Sequence, residues 1–184
     1  MRLMSLVIVM FSFLAGFAMV APGRAAERPL ETVAAVDLDR YLGRWYEAAS
    51  YPAWFQKGCT ATTADYSLRE DGLIKVVNSC RKGALDGKPK RSTGRAKVVD
   101  AATNARLKVS FFGPFWGDYW IIDLDPDYRW AVVGVPSRKF LWILSRTPQM
   151  EDSVYNDILS RLPAMGYDPA RLNRTLQPAS GDQQ

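Results

Sequence analysis

Two cysteines, Cys59 and Cys80, and a complete absence of histidine limit the chemistry open to this chain. Without His, the Ser-His-Asp and Cys-His nucleophile pairs, His-ligated haem and the usual zinc sites are excluded. The 19 Asp and Glu residues are scattered, mostly on turns and outward positions, and form no acid/base pair. Gly113-Pro-Phe-Trp-Gly117 is bounded by glycine, yet it lacks the following helix and the Lys of a phosphate-cradling loop. No catalytic residue, metal ligand or cofactor site is assigned. In an oxidising compartment an even cysteine pair forms a disulfide, and closing a loop of this length stabilises a fold by about 3 kcal/mol. The alternative is a reactive thiol, with Cys80 on an inward strand face, which keeps a thiol enzyme as a competing function class.

The compartment is read from the N-terminus. Met1-Arg2 begins positive, Leu3 to Val20 carries no charge, and Ala21-Pro-Gly-Arg-Ala-Ala26 supplies small residues. That order reads as a signal peptide over residues 1–26, cleaved near Ala25/Ala26, with 27–184 as one domain. The competing reading is an uncleaved anchor. No Cys stands near the end of the apolar run for lipidation. The expected product is exported, periplasmic or secreted, and associated with the outer membrane, if at all, without a lipid anchor. Removing Arg2 and Arg24 lowers the 24 basic residues to 22 against 19 acidic ones, a mild surplus that does not imply nucleic acid.

The elements that would position a site are mostly strands. Residues 27–36 read as a loose lead-in, and Gly43-Arg-Trp-Tyr-Glu47 opens strand A, Arg44 to Tyr51. Thr60 to Leu68 alternates, Glu70-Asp-Gly72 is a hairpin turn, and residues 73–81 alternate again. Further strands are expected at 92–99, around 106–111, 119–124, 128–135 and 139–145, with 112–117 as a loop broken by Gly-Pro. From Thr147 the period becomes helical, with Val154, Ile158, Leu159 and Leu162 on one face until Pro163 and Gly166. Residues 171–176 add a short tail strand. Eight strands on hairpin-length links make an all-β, up-and-down antiparallel barrel, with one helix packed outside and room within for one small ligand.

At this point the residues resemble the lipocalin family, and within it the bacterial outer-membrane and apolipoprotein D-like group. The likeness rests on Gly43-Arg44-Trp45, the Asp125-Pro-Asp-Tyr128 turn and Ser145-Arg146 before a helix, in order over about residues 37–177. Leu107-Lys-Val-Ser-Phe-Phe-Gly-Pro-Phe115 and Leu141-Trp-Ile-Leu-Ser-Arg-Thr-Pro148 are especially similar. The resemblance implies a calyx that carries a hydrophobic small molecule. It also implies that Gly43, Trp45 and Arg146 are structural, the guanidinium stacking on Trp45 across the closed end for ~1–2 kcal/mol.

Strict alternation gives an inward set of Ala49 and Tyr51; Ala64 and Tyr66; Val76 and Asn78; Val109 and Phe111; Tyr119 and Ile121; Val133; and Phe140 and Trp142. Such a lining suits an acyl chain, and the expected cargo is a fatty acid, lysophospholipid or similar lipid carried for cell-envelope maintenance. The competing view is that the same residues merely pack a closed core. Glu47 also points inward and is expected in a hydrogen-bonded structural role near the base. Up-and-down topology places the A–B, C–D, E–F and G–H connections together at the mouth. They carry Trp54, Phe55 and Lys57; Lys82, Lys88, Lys90 and Arg91; Phe112, Phe115 and Trp116; and Arg138 and Lys139. An aromatic and basic mouth is expected to meet anionic phospholipid headgroups. A protein-interaction module docking by its aromatic loops is the third function class.

Overall fold

The architecture follows from alternating strands that must bury one face and satisfy every ladder hydrogen bond, which a closed barrel does without leaving an edge. The computed structural model describes residues 28–179, so the signal-peptide reading of residues 1–26 lies outside the described residues. Eight antiparallel strands run in sequence order: β1 Gly43–Ser50, β2 Cys59–Leu68, β3 Ile74–Lys82, β4 Pro89–Val98, β5 Arg106–Phe112, β6 Phe115–Leu124, β7 Trp130–Gly134 and β8 Leu141–Ser145. Each pairs with the next, and β1 pairs with both β2 and β8, so the sheet closes. The expected up-and-down barrel is the observed one.

Three local expectations differ. Residues 112–117 are not a loop: Phe112 pairs with Phe115, so Gly113-Pro114 is a two-residue turn and β6 begins at once. The 92–99 strand starts earlier, at Pro89. The lead-in is not loose either. Val33 donates to the Ile121 carbonyl (3.0 Å) and Val36 to that of Thr103 (2.7 Å), and both Leu30 and Val36 are buried.

The short helix α1, Leu38–Tyr41, is capped by the Asp37 carboxylate, which accepts from the amides of Asp39 and Arg40. It covers one end of the barrel. The longer helix α2, Asp152–Arg161, lies against the outer wall. Tyr155, Ile158 and Leu162 bury themselves there on Ala48, Ala49, Ile122, Val132, Leu141 and Ile143. A 3-10 segment, Leu162–Met165, ends in Gly166 at φ +80°, and Tyr167 then reaches back to the barrel. Its hydroxyl accepts from the Val135 amide (2.9 Å) and donates to the Val135 carbonyl (3.0 Å). Gly134 leaves the space for this, since a Cβ there would come within 2.2 Å of the phenol oxygen.

The two-residue strand β9, Asn173–Arg174, pairs with β1 at Ala49 and Ser50. There β1 and β2 have separated, because their own pairing stops at Tyr46–Thr63. The tail bridges that seam. Thr175 donates its amide to the Ala48 carbonyl, Ala61 donates to the Leu176 carbonyl, and the Gln177 amide nitrogen reaches the carbonyls of both Glu47 and Thr62.

Candidate functional site

One end of the barrel is sealed from the sequence upward. Gly43, at φ +89°, turns the chain from α1 into β1, and Trp45 is then fully buried. The Trp45 indole donates to the Tyr41 carbonyl at 2.8 Å. The Arg146 guanidinium lies 3.7 Å from the centre of the Trp45 ring, in the arrangement the family resemblance implied. Its N–H groups are committed to the carbonyls of Arg40 (2.6 Å), Arg44 (2.8 Å), Tyr41 (3.3 Å) and Tyr128 (3.3 Å). One side chain thus ties α1, β1 and the β6–β7 turn together. That turn is held by Asp125, which accepts from Arg129 and from the amides of Asp127 and Arg129 and is kept below the usual carboxylate range mainly by Arg129. Ile121, Ala131 and Val133 pack on Trp45 above the seal.

Beyond the seal the barrel is hollow. A cavity of about 630 Å³ opens toward the other end, within the ~300–1,000 Å³ typical of small-molecule sites. Of the expected ligand-contacting residues, Tyr66, Val76, Asn78, Val109, Phe111, Tyr119, Phe140 and Trp142 line it, as does Ala64. Four do not. Ile121 and Val133 face inward but are consumed by the packed layer around Trp45. Ala49 and Tyr51 face the opposite way, into the core beneath α2. The cause is a β-bulge at Ala48, where the β1–β8 register passes from Glu47–Leu144 to Ala49–Ile143. One extra residue inverts the parity of the rest of the strand.

Residues outside that expected set also line the cavity. Leu38, Tyr41 and Leu42 of α1 and its C-terminal edge form part of its floor, and Gln56 reaches it from the 3-10 turn Trp54–Gln56. No strand periodicity could reveal them. Glu47 lines the wall and is not at the base. It accepts from the hydroxyls of Ser50 (3.0 Å) and Thr175 (2.5 Å) and from the Gln56 amide. Burial pushes its carboxyl above the usual range, and the hydrogen bonds from Thr175, Gln56 and Ser50 only partly oppose that. Gln56 in turn accepts from the Trp142 indole at 3.3 Å. Beside them, the Thr62 hydroxyl oxygen and the Asn78 amide oxygen are buried without a hydrogen-bond partner among the described residues. An apolar cup therefore carries a few polar points on one wall.

The mouth is aromatic. Trp54, Phe55, Phe140 and Trp142 form a chain of ring contacts with successive centroids 5.5, 5.5 and 5.8 Å apart. Phe112 and Phe115 stand at the opposite lip, 77% and 78% exposed, and Trp54 is 83% exposed. Lys82 and Lys90 donate to the carbonyls of Lys57 and Phe55, fixing the first loop to β3 and β4. Trp116 does not belong to the mouth. It lies on the outer wall under Arg95 and Lys97, 5.3 and 4.6 Å from its ring centre.

Cys59 and Cys80 are bonded to each other, joining the mouth ends of β2 and β3, so the thiol on which an enzyme reading rested is not free. Among the described residues no cluster of side chains could hold a metal ion, and no helix is long and apolar enough to cross a membrane.

Residues 36–177 match the family described as the Lipocalin-like domain. The outer membrane lipoprotein Blc of Escherichia coli (strain K12) is 45% identical over 146 residues, covering 78% of this chain and 81% of the relative. Temperature-induced lipocalin-1 of Arabidopsis thaliana is 39% identical over 163 residues, 82% of this chain and 84% of the relative. Insecticyanin from the tobacco hornworm Manduca sexta superposes with a TM-score of 0.67 at 21% identity, covering 85% of this chain and 88% of the other, a likeness of fold alone.

Proposed function

The chain belongs to the lipocalin family, and from that premise we propose that it binds and carries one small hydrophobic ligand, a fatty acid, lysophospholipid or similar lipid, and performs no catalysis. The observation that carries this reading is the cup itself: sealed at Trp45, about 630 Å³ in volume, open at one end and lined mostly by apolar and aromatic side chains. The chain slides in tail first, and the head stays near Lys90 and Ser137, which line the upper cavity. Against an enzyme stand the absence of His and the bonding of Cys80 to Cys59.

The place of work in this proposal is the cell envelope. The leader-like N-terminus supports export, and the relative named an outer membrane lipoprotein supports an envelope role. The exposed aromatics Trp54, Phe112 and Phe115, with Lys82 and Lys90 bonded to the loop that carries Trp54, are the part that would touch an anionic lipid surface while cargo passes.

Filling the cup tests the carrier reading. Val109→Trp places an indole in the cavity without touching the Trp45–Arg146 seal. Titration with a fluorescent fatty acid should saturate at one per wild-type chain and be displaced by unlabelled oleate or lysophospholipid. The variant, still cooperatively folded by thermal melting, should bind at least tenfold more weakly. Equal binding by both proteins would place the ligand elsewhere and overturn the reading.

A further inference from the structure

The floor of the cavity brings together three phenols from distant parts of the chain. Tyr41 comes from α1, Tyr66 from β2 and Tyr119 from β6, and all three line the cavity. The Tyr119 oxygen lies 2.8 Å from that of Tyr41 and 3.0 Å from that of Tyr66. Burial holds them all protonated: Tyr66 is pushed up to about 12, and Tyr41 and Tyr119 lie well above the ordinary tyrosine value.

Three neutral phenols carry three protons, and two oxygen–oxygen contacts use two of them. Whichever way the bonds run, one O–H is left without an acceptor in the trio, and no other acceptor meets it among the hydrogen bonds of the described residues. The trio therefore keeps one O–H to donate, beside Leu38, Leu42, Ile74, Val76 and Leu107 in the cavity lining. Arg146 adds positive potential from behind, yet four of its N–H groups are spent on backbone carbonyls. An anion at the floor would lose its hydration with no cation in contact. A neutral oxygen loses far less hydration, and one donated hydrogen bond offsets it.

We propose that the tyrosine trio is a subsite for a neutral oxygen acceptor at the buried end of the ligand. The cargo is then an acyl chain that is oxygenated near its tail, as alcohol, ketone or ether, in preference to a plain hydrocarbon chain. This rests on the carrier reading above. A bare methyl terminus would leave the spare O–H facing hydrocarbon, whereas an oxygen there satisfies it.

The probes are omega-hydroxy fatty acids from decanoic to octadecanoic length, each paired with the plain acid one carbon longer, which has the same size and differs at its end. Binding is measured to wild type and to the triple variant Tyr41→Phe, Tyr66→Phe, Tyr119→Phe. Since these hydroxyls bond only to one another, replacing all three with the same ring shape removes donors and acceptors together. Wild type should favour the hydroxy acid at the length that reaches the floor. The triple variant should lose about tenfold of that ratio, the plain acid gaining because it no longer faces an unsatisfied O–H. Wild-type preference for the plain acid at every length overturns the proposal, whether or not the variant folds, and so does a ratio identical in the two proteins. If neither kind of acid binds wild type, the carrier reading itself has failed.

Discussion

Glu47 is the side chain whose place in the site the sequence left most ambiguous. Its position next to the Gly43-Arg-Trp motif suggests the base, and its charge suggests a surface. Instead it is buried in the cavity wall, with Ser50, Gln56 and Thr175 donating to it. Gln56 and Thr175 arrive from a loop and from the C-terminal tail, so no local pattern could announce them. The consequence is a pH dependence of known sign. Because burial raises the folded-state pKa above the unfolded value of about 4.3, protonation favours the folded state. That stability is fully present below about pH 4 and is lost as pH rises through the raised folded pKa. Glu47→Gln removes the titration. Thermal unfolding of both proteins across pH should show the wild type losing ground to the variant with rising pH, by about 1.4 kcal/mol for each unit by which the pKa is raised. A difference that does not vary with pH would contradict this account of Glu47.

The elements divide into those that alternation reveals and those it cannot. β3 keeps an unbroken register, β2 does so from Thr63 onward and β5 as far as Val109. Tyr66, Val76, Asn78 and Val109 reach the cavity as alternation says, while Phe111 reaches it from within a bulge between Val109 and Phe112. β1 breaks the rule at Ala48, where one inserted residue sends Ala49 and Tyr51 outward beneath α2. A bulge changes no residue type, so nothing in Glu47-Ala-Ala-Ser50 marks it. The mouth connections were placed by topology alone; Trp116 departs from them to the outer wall, and Arg138 turns away to donate to the carbonyls of Met165, Pro136 and Arg28. The mouth connections carry the proposed lipid contact: Trp54, Phe112 and Phe115 are exposed, with Lys88, Lys90 and Arg91 nearby on the turn into β4 and its first residues. Basic residues near an anionic bilayer contribute about 1 kcal/mol each. Changing Lys88, Lys90 and Arg91 together to Gln should therefore weaken cosedimentation with phosphatidylglycerol vesicles by about a hundredfold, and added salt should erase the difference. Unchanged affinity at low salt would mean that these residues serve only to hold the loop.

At the scale of the whole molecule, the barrel separates stability from function along its axis. The sealed end spends its aromatic and cationic residues on one another: Trp45 with Arg146, and Arg40 over Tyr128 at 4.1 Å. The outer wall is occupied by α2, and the seam between β1 and β2 by the C-terminal tail. What these leave unfilled is the cup. Overall topology and the closed end were legible because strand alternation and the spaced motifs both mark them. The floor of the cup was not, since it joins α1 to strands far away in sequence. The central claim is that a lipid occupies this space. Native mass spectrometry of the protein purified from its native source tests that most directly. The account predicts a wild-type species carrying one lipid whose mass fits a fatty acid or lysophospholipid, with a hydroxyl or keto oxygen on the chain, and no such species for Val109→Trp. A wild-type protein bearing no lipid, or an equal load on the filled-cavity variant, would contradict it.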